Sequence, residues 1–499
     1  MKESYFGKFF KHSFVYGIGN ALNRGAAFLL LPLYTHTLLP GEYGALEMFY
    51  VIASVLGTLL GMNIAHGTLR FYFEFDNEND QKKVISTSLI TTFVLCVFSF
   101  LLLDHFTQEL SYLVFKSTEY RGLFRYVFVI VCMQLLNEIA FAYLRVKERS
   151  GTYVMLSAVQ LVSQVLLNLY TVLILQWGVK GILLGNMLSI GITWLILMTT
   201  VLRYSGFSFD SGKLKLLLHY CLPFILSAFA GIIISNSDRV MLNTFVGLTA
   251  VGVYALGTKF GIVVRDLVME PFFRNFGQSR FAIMKRPDAA HLYSRILTYF
   301  VLGVTIVSLG VTFFSREAMR IIASPEYLDA YKIVPIILMT VIFTGIGYIL
   351  QTGILIHKKT KYVFYINLSS ALLILLLNRI MIPHLHMYGA ALANAFNSIF
   401  ICILTYAISQ SLLPIEYEFN RLTKLFLAAT VYCLAAVFFP LQNLVAAVLL
   451  KSLMFLSFPF ALVFMGFFRQ EEKQKVREYL GKLQRMVSRG YAAVGRNPS

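Results

Sequence analysis

Residues 14–39 read FVYGIGNALNRGAAFLLLPLYTHTLL, an almost unbroken apolar run of about 26 residues. That is long enough to cross a bilayer with some tilt. Asn20, Asn23 and Arg24 sit in its middle, so Arg24 falls near midplane depth. A guanidinium there costs at least ~2.5–3.5 kcal/mol if it faces lipid. It is therefore expected to face protein or a water-filled cavity. Asn20 and Arg24 are spaced i,i+4 and share one helix face.

Similar runs recur to residue 467 and give about fourteen spans. Their length favours helices, since a barrel strand needs only about ten residues. Hydrophobic residues make up 58% of the 499 and charged ones 14%, against about a quarter charged in soluble domains. An all-α polytopic membrane protein follows. The net charge of +18 would suggest nucleic acid in a soluble chain. Here Lys and Arg alternate between loops, twenty-one on one side before the tail is counted. The other side has five: Lys116, Arg121, Lys180, Arg316 and Arg320. This bias predicts both termini in the cytoplasm and an even number of spans, and leaves no call for a nucleic-acid partner. The run at 14–39 exceeds a signal-peptide core and lacks a small-residue cleavage site, so it is read as a retained first span. Cys96, Cys132, Cys221, Cys402 and Cys433 all lie in apolar runs, none in a paired motif, and are expected to pack rather than bridge or bind metal.

The chain also repeats itself. Lys8 and His12 correspond to Lys215 and His219, Gly44 to Gly252, and Gly181 with Asn186 to Gly389 with Asn394, at offsets of 207–208. An offset of six spans preserves topology, so the repeats should be parallel. The expected domains are a six-helix lobe at 1–205, a second at 206–415, two further helices at 416–468 and a basic tail at 469–499. In the tail Val476, Leu480, Leu483 and Val487 share one helix face with Lys and Arg on the others. That pattern suits a helix on an anionic membrane surface.

The deep polar residues carry the functional expectations. Arg24, Lys259, Arg265 and Lys451 lie within spans, and Arg239 follows Asp238. Glu47, Glu138, Asp238 and Asp266 are the deep acids, with Glu270 at the margin. Each charge has two readings, an inter-helix pair that holds the bundle or a wall of a polar cavity. Sequence neighbours do not face each other on a helix, so Asp238/Arg239 and Arg265/Asp266 should each partner other spans. Pro32 and Pro223 occupy equivalent helices and are candidate bend points. Gly57/Gly61 and Gly181/Gly185 have the spacing for close helix packing. No Gly-rich phosphate loop with Lys-Ser/Thr is present, which argues against ATP-driven transport.

Leu29-Leu30-Leu31-Pro32-Leu33-Tyr34-Thr35 followed by Leu39-Pro40-Gly41-Glu42-Tyr43-Gly44 resembles the opening of bacterial polysaccharide flippases of the Wzx type. So do Arg70-Phe71-Tyr72, Asp238-Arg239-Val240-Met241-Leu242 and Val251-Gly252-Val253-Tyr254-Ala255. The resemblance extends through span twelve and marks the multidrug/oligosaccharidyl-lipid/polysaccharide exporter superfamily. It implies two six-helix lobes in a V plus two C-terminal helices, in the bacterial inner membrane. It implies an undecaprenyl-diphosphate-linked oligosaccharide as substrate and a basic central cavity. Arg24 with Asn20 and Asn23 is the leading candidate for that cavity, with Lys259, Arg265 and Arg239 behind it. A polysaccharide polymerase and a chain-length regulator are implied partners, alongside membrane lipids. No cofactor is implied, and Na⁺, H⁺ or the membrane potential are the candidate energy sources.

Two other readings compete, one within transport and one from a different class. A cation-coupled multidrug exporter of the same superfamily would need a more acidic site. A membrane polysaccharide polymerase or ligase would need larger outer loops than these.

Overall fold

The computed structural model describes residues 28–438 and 444–474. Among them every regular element is a helix. In order these are α1 (Leu31–Thr37), α2 (Pro40–Gly61), α3 (Ile64–Glu74), α4 (Glu78–His105), α5 (Thr107–Phe115), α6 (Arg121–Val146), α7 (Ser150–Leu169) and α8 (Gly178–Ser205). Then come α9 (Ser211–Phe245), α10 (Leu248–Val264), α11 (Glu270–Ile283), α12 (Ala289–Ile322), α13 (Val334–Leu350), α14 (Thr352–Ile356), α15 (Lys361–Leu412), α16 (Phe419–Phe438) and α17 (Leu444–Phe464).

Ten helices among the described residues are long and apolar enough to span a membrane, and the bent α9 makes eleven. The 52-residue α15 holds two spans. His386 breaks it with φ 50 and ψ −125, and a Cβ on Gly389 would stand 2.3 Å from the Met381 carbonyl oxygen. Eight residues of straight helix would separate those positions by ~12 Å, so the chain doubles back. With α16, and with the stretch at 14–39 that lies largely outside the described residues, the count is compatible with fourteen.

α9 bends by 43° between Ile225 and Ala228, just past Pro223. Pro32 stands in the first turn of α1, behind a break at Leu30. A proline has no N–H to return to the preceding turn, so a break before Pro32 costs no further hydrogen bond.

The chain gathers into two compact units. One runs through Asp266 and resumes over Ala318–Leu413; the other is Leu267–Glu317 and the chain from Pro414. The boundary between repeats at 205/206 falls inside the first unit.

Within the first unit the repeats meet at α2 and α10. A Cβ on Gly44 would stand 1.9 Å from the Leu248 carbonyl oxygen, and one on Gly252 would stand 2.0 Å from that of Pro40. Leu248 is Pro40 displaced by 208, as Gly252 is Gly44 displaced by 208. Contact i to j is thus matched by contact j to i, as a two-fold axis between equivalent helices requires. Only glycine lets the backbones come this close. The helix hairpins repeat as well. A Cβ on Gly181 would stand 2.9 Å from the Thr171 carbonyl oxygen ten residues back, much as its counterpart Gly389 meets Met381 eight residues back. Of the expected glycine pairs, Gly181/Gly185 pack as anticipated, and Gly61 lies against Leu135. Gly57 meets nothing within 4 Å, so half of that motif is not used.

At the Pro40 end, Thr35 donates to the Ile322 carbonyl (2.7 Å), Tyr327 to that of Leu38 (3.0 Å) and Asn243 to that of Val114 (2.6 Å). At the other end α3 packs on α9. The Phe71 and Tyr220 rings are 5.7 Å apart, and Lys213 reaches Asp80 at 3.0 Å. The repeats therefore touch at both ends.

Gly178 and His386, 208 residues apart, both have φ 50. Glycine accepts that conformation without cost, whereas a histidine there holds of order 1–3 kcal/mol of strain. His386→Gly is expected to raise the thermal midpoint in detergent, with His386→Val lowering it; a lowered midpoint for the glycine variant would show that the imidazole makes compensating contacts.

In the second unit Lys451 is buried against Glu317, its Nζ 2.7 Å and 2.8 Å from the two carboxylate oxygens. Arg280, one of the twenty-one loop cations counted from the sequence, is 1% exposed. Its guanidinium lies 4.9 Å over the Phe276 ring, and its carbonyl accepts from the Tyr293 hydroxyl at 2.5 Å. Arg421 bridges Glu418 and Glu472, each at 2.9 Å. All five cysteines are free thiols, and no metal-ligating group of His, Cys, Asp and Glu occurs among the described residues. Residues 475–499, including most of the expected tail helix, lie outside them.

Candidate functional site

Pro40 opens α2 at its first turn. The Glu42 carboxylate accepts from the Leu39 N–H at 2.9 Å, satisfying a donor the helix cannot. Once Gly44 has brought α2 against α10, Tyr43, Glu47 and Tyr50 follow at i, i+4 and i+7 on one face. The Leu-Pro-Gly-Glu-Tyr-Gly stretch is thus a helix start, a cap and a contact point in sequence.

Glu47 is 4% exposed and lies between two cations of the other repeat. Lys259 Nζ of α10 is 2.8 Å from its Oε1, and Arg239 Nε of α9 is 3.8 Å from its Oε2. Arg239 also donates to Thr258 Oγ1 (3.2 Å) and to the Ser235 carbonyl (3.3 Å). One residue back, Asp238 accepts from the Tyr254 hydroxyl at 2.7 Å and from the Asn394 amide at 3.1 Å. Two carboxylates and two cations balance in one buried cluster. Such a pair resists disruption because losing one partner strands the other without solvent.

Asn186, the counterpart of Asn394, anchors a second network. Its Oδ1 accepts from Gln164 (2.9 Å) and Asn168 (3.1 Å), and its amide donates to the Tyr50 hydroxyl (3.2 Å). Tyr34 donates to Asn168 at 3.2 Å. Between the networks lies a cavity of about 330 Å³, walled by Tyr50, Gln134, Gln160, Gln164 and Asn186, with Glu47 and Lys259 on one side.

Of the residues expected at the site, Arg239 and Lys259 are brought together, on Glu47. Arg265 is not with them. It begins a widened turn after α10, half-exposed, with Nε 3.0 Å from Asp266 Oδ1. That corrects the expectation that neighbouring charges find separate partners, because a long arginine stem reaches back to the adjacent carboxylate. Asp238 meets the expectation only in part. It accepts from Tyr254 and Asn394 of other helices, but its Oδ1 also accepts from the Arg239 backbone N–H at 2.7 Å and lies 3.9 Å from the Arg239 guanidinium. Lys259 shares a helical register with Asp266 but turns to Glu47. Arg24, Asn20 and Asn23 lie outside the described residues. Sequence reasoning missed Gln134, Gln160 and Gln164, since uncharged amides in an apolar run leave only a weak signal.

The family model described as polysaccharide biosynthesis protein matches residues 9–274, more than half of the chain. The chain belongs to that family. No curated protein matches it by sequence. Among solved structures this polysaccharide biosynthesis family member is similar to a lipid II flippase MurJ in an inward closed conformation. The TM-score is 0.71 at 13% identity, over 90% of this chain and 98% of that one. It is similar also to an inward-facing MATE family transporter of the MOP superfamily, with a TM-score of 0.61 at 16% identity over 78% and 94%. A third is a MOP superfamily transporter from Pyrococcus furiosus described as having a binding pocket of reverse polarity. There the TM-score is 0.53 at 15% identity over 81% and 95%. The family member thus has the MOP transporter fold and is a multi-pass membrane protein.

Proposed function

We propose that the chain is a flippase that moves an undecaprenyl-diphosphate-linked oligosaccharide across the bacterial inner membrane for surface polysaccharide synthesis, without covalent chemistry. The two six-span repeats, 1–205 and 206–415, act as lobes that alternate access between the membrane faces, with both termini cytoplasmic. The family membership supports the pathway. The single observation that carries the mechanism is the Glu47 cluster, a carboxylate of one repeat held by two cations of the other.

An anionic substrate can drive opening only if it binds one state better than the other. Glu47 supplies that difference. While the repeats are closed it neutralises Lys259 and Arg239. When α2 parts from α10, both cations lose Glu47, Arg239 keeping only Asp238 at 3.9 Å, and a diphosphate can take its place. Arg239 suits diphosphate oxygens, because its planar fork donates two parallel hydrogen bonds. Arg24 is the expected third cation, on the opening helix. The prenyl tail stays in lipid throughout.

The test is transport by the full-length protein in proteoliposomes. A fluorescent prenyl-diphosphate glycan should become accessible at the far leaflet, and Arg24→Ala should reduce its rate at least tenfold while Arg24→Lys retains part. Extrusion of cationic dyes with no glycan movement would instead favour the multidrug exporter.

A further inference from the structure

The cavity beside the Glu47 cluster carries the wrong chemistry for a diphosphate. Its wall holds one acid and one base, Glu47 and Lys259, and these are paired at 2.8 Å. Phosphate oxygens accept only, and are best held by cationic donors. The rest of the polar wall is amide and phenol. Each carboxamide donates and accepts at once, which matches a hydroxyl or an acetamido group. The amides are also sorted by use. Gln164 is tied to Asn186, whose oxygen already takes two donors. The Tyr50 hydroxyl accepts from Asn186, so its own proton is left to donate. Gln134 and Gln160 line the same space, and their side chains take no part in that network.

We propose that this cavity is a subsite for a neutral sugar residue of the glycan, read by the side-chain amides of Gln134 and Gln160 and the hydroxyl of Tyr50. This rests on the flippase reading above and adds what the site recognises. A volume of about 330 Å³ is at the small end of the ~300–1,000 Å³ of small-molecule sites. It holds a short piece of glycan, not a whole repeat unit. Sugar recognition here is separate from charge recognition. The amides select the glycan in the first repeat, and the cations released from Glu47 hold the diphosphate.

Titration calorimetry on the full chain in nanodiscs separates the two contributions, using farnesyl diphosphate and the same diphosphate carrying one N-acetylhexosamine. The sugar is expected to tighten binding about tenfold. Gln134→Leu with Gln160→Leu should remove that gain and leave the bare diphosphate affinity unchanged. Ala53→Phe, which fills the cavity from its wall and leaves every amide in the sequence, should do the same. The thermal midpoint of each variant should match that of the parent. Bare diphosphate binding with no gain from the sugar, or a full gain in the double variant, would overturn the subsite and leave the flippase reading standing. Binding of neither compound would overturn both.

Discussion

Alanine at position 44 is expected to abolish transport while leaving the protein in the membrane. The added Cβ would sit 1.9 Å from the Leu248 carbonyl oxygen and 2.8 Å from its carbon, where even close Cα–H···O contacts need about 3.3–3.6 Å. A backbone carbonyl cannot rotate out of the way as a side chain can. α2 and α10 must therefore separate by more than an ångström along their crossing. Overpacking of this kind costs about 1–3 kcal/mol, and the separation also strains the 2.8 Å contact between Glu47 and Lys259. The closed arrangement should lose its advantage. Spin labels at Thr37 and Val246, both exposed beside the crossing, would report it as a longer, broader distance distribution. Because the contact is reciprocal, Gly252→Ala should shift the distribution to the same degree, its Cβ lying 2.0 Å from the Pro40 oxygen. Gly57→Ala, on the same helix but with nothing within 4 Å, is the control and should change neither distance nor transport. An unchanged distribution in Gly44→Ala would mean that the crossing is not what keeps the repeats together.

Much of this arrangement could be read from the residues, and the physical reasons show why some could not. Spans were legible because lipid demands long apolar runs, and a fold that repeats at a fixed offset leaves matching glycines at the turns. Gly44/Gly252 and Gly181/Gly389 stand out because no other residue lets backbones meet so closely. Lys259 and Arg239 were legible as deep charges. Their shared partner was not, because nothing local ties α2 to α9 and α10; Glu47 meets them only after the repeats dock. Arg265 was misjudged for the opposite reason. Its partner is the next residue, reached by a flexible stem in a widened turn that periodicity does not reveal. Arg280 read as a loop charge because its burial depends on α12, whose Tyr293 closes onto the Arg280 carbonyl. The amides of Gln134, Gln160 and Gln164 carry no charge to mark their depth, and only the cavity gives them a common purpose.

Glu47→Gln should act on the same closure from its electrostatic side. Removing one partner of a buried ion pair costs about 3–5 kcal/mol, because the remaining charge is stranded; here two cations, Lys259 and Arg239, lose one carboxylate. The closed state should weaken, the thermal midpoint should fall, and transport should drop sharply while the protein still reaches the membrane. Neutralising Lys259 as well, with Lys259→Met, removes one stranded cation, so the double variant should be more stable than the sum of the single losses. Residues in direct contact typically couple by 0.5–3 kcal/mol in such cycles, and this pair should fall at the upper end. Inorganic pyrophosphate distinguishes a lock from a mere brace. If the diphosphate of the substrate occupies the place that Glu47 vacates, pyrophosphate should raise the midpoint of Glu47→Gln more than that of the parent, whose own carboxylate already fills the position. Equal shifts in both proteins would make Glu47 a structural counter-ion only, and additive losses in the cycle would remove the pair from the closing mechanism.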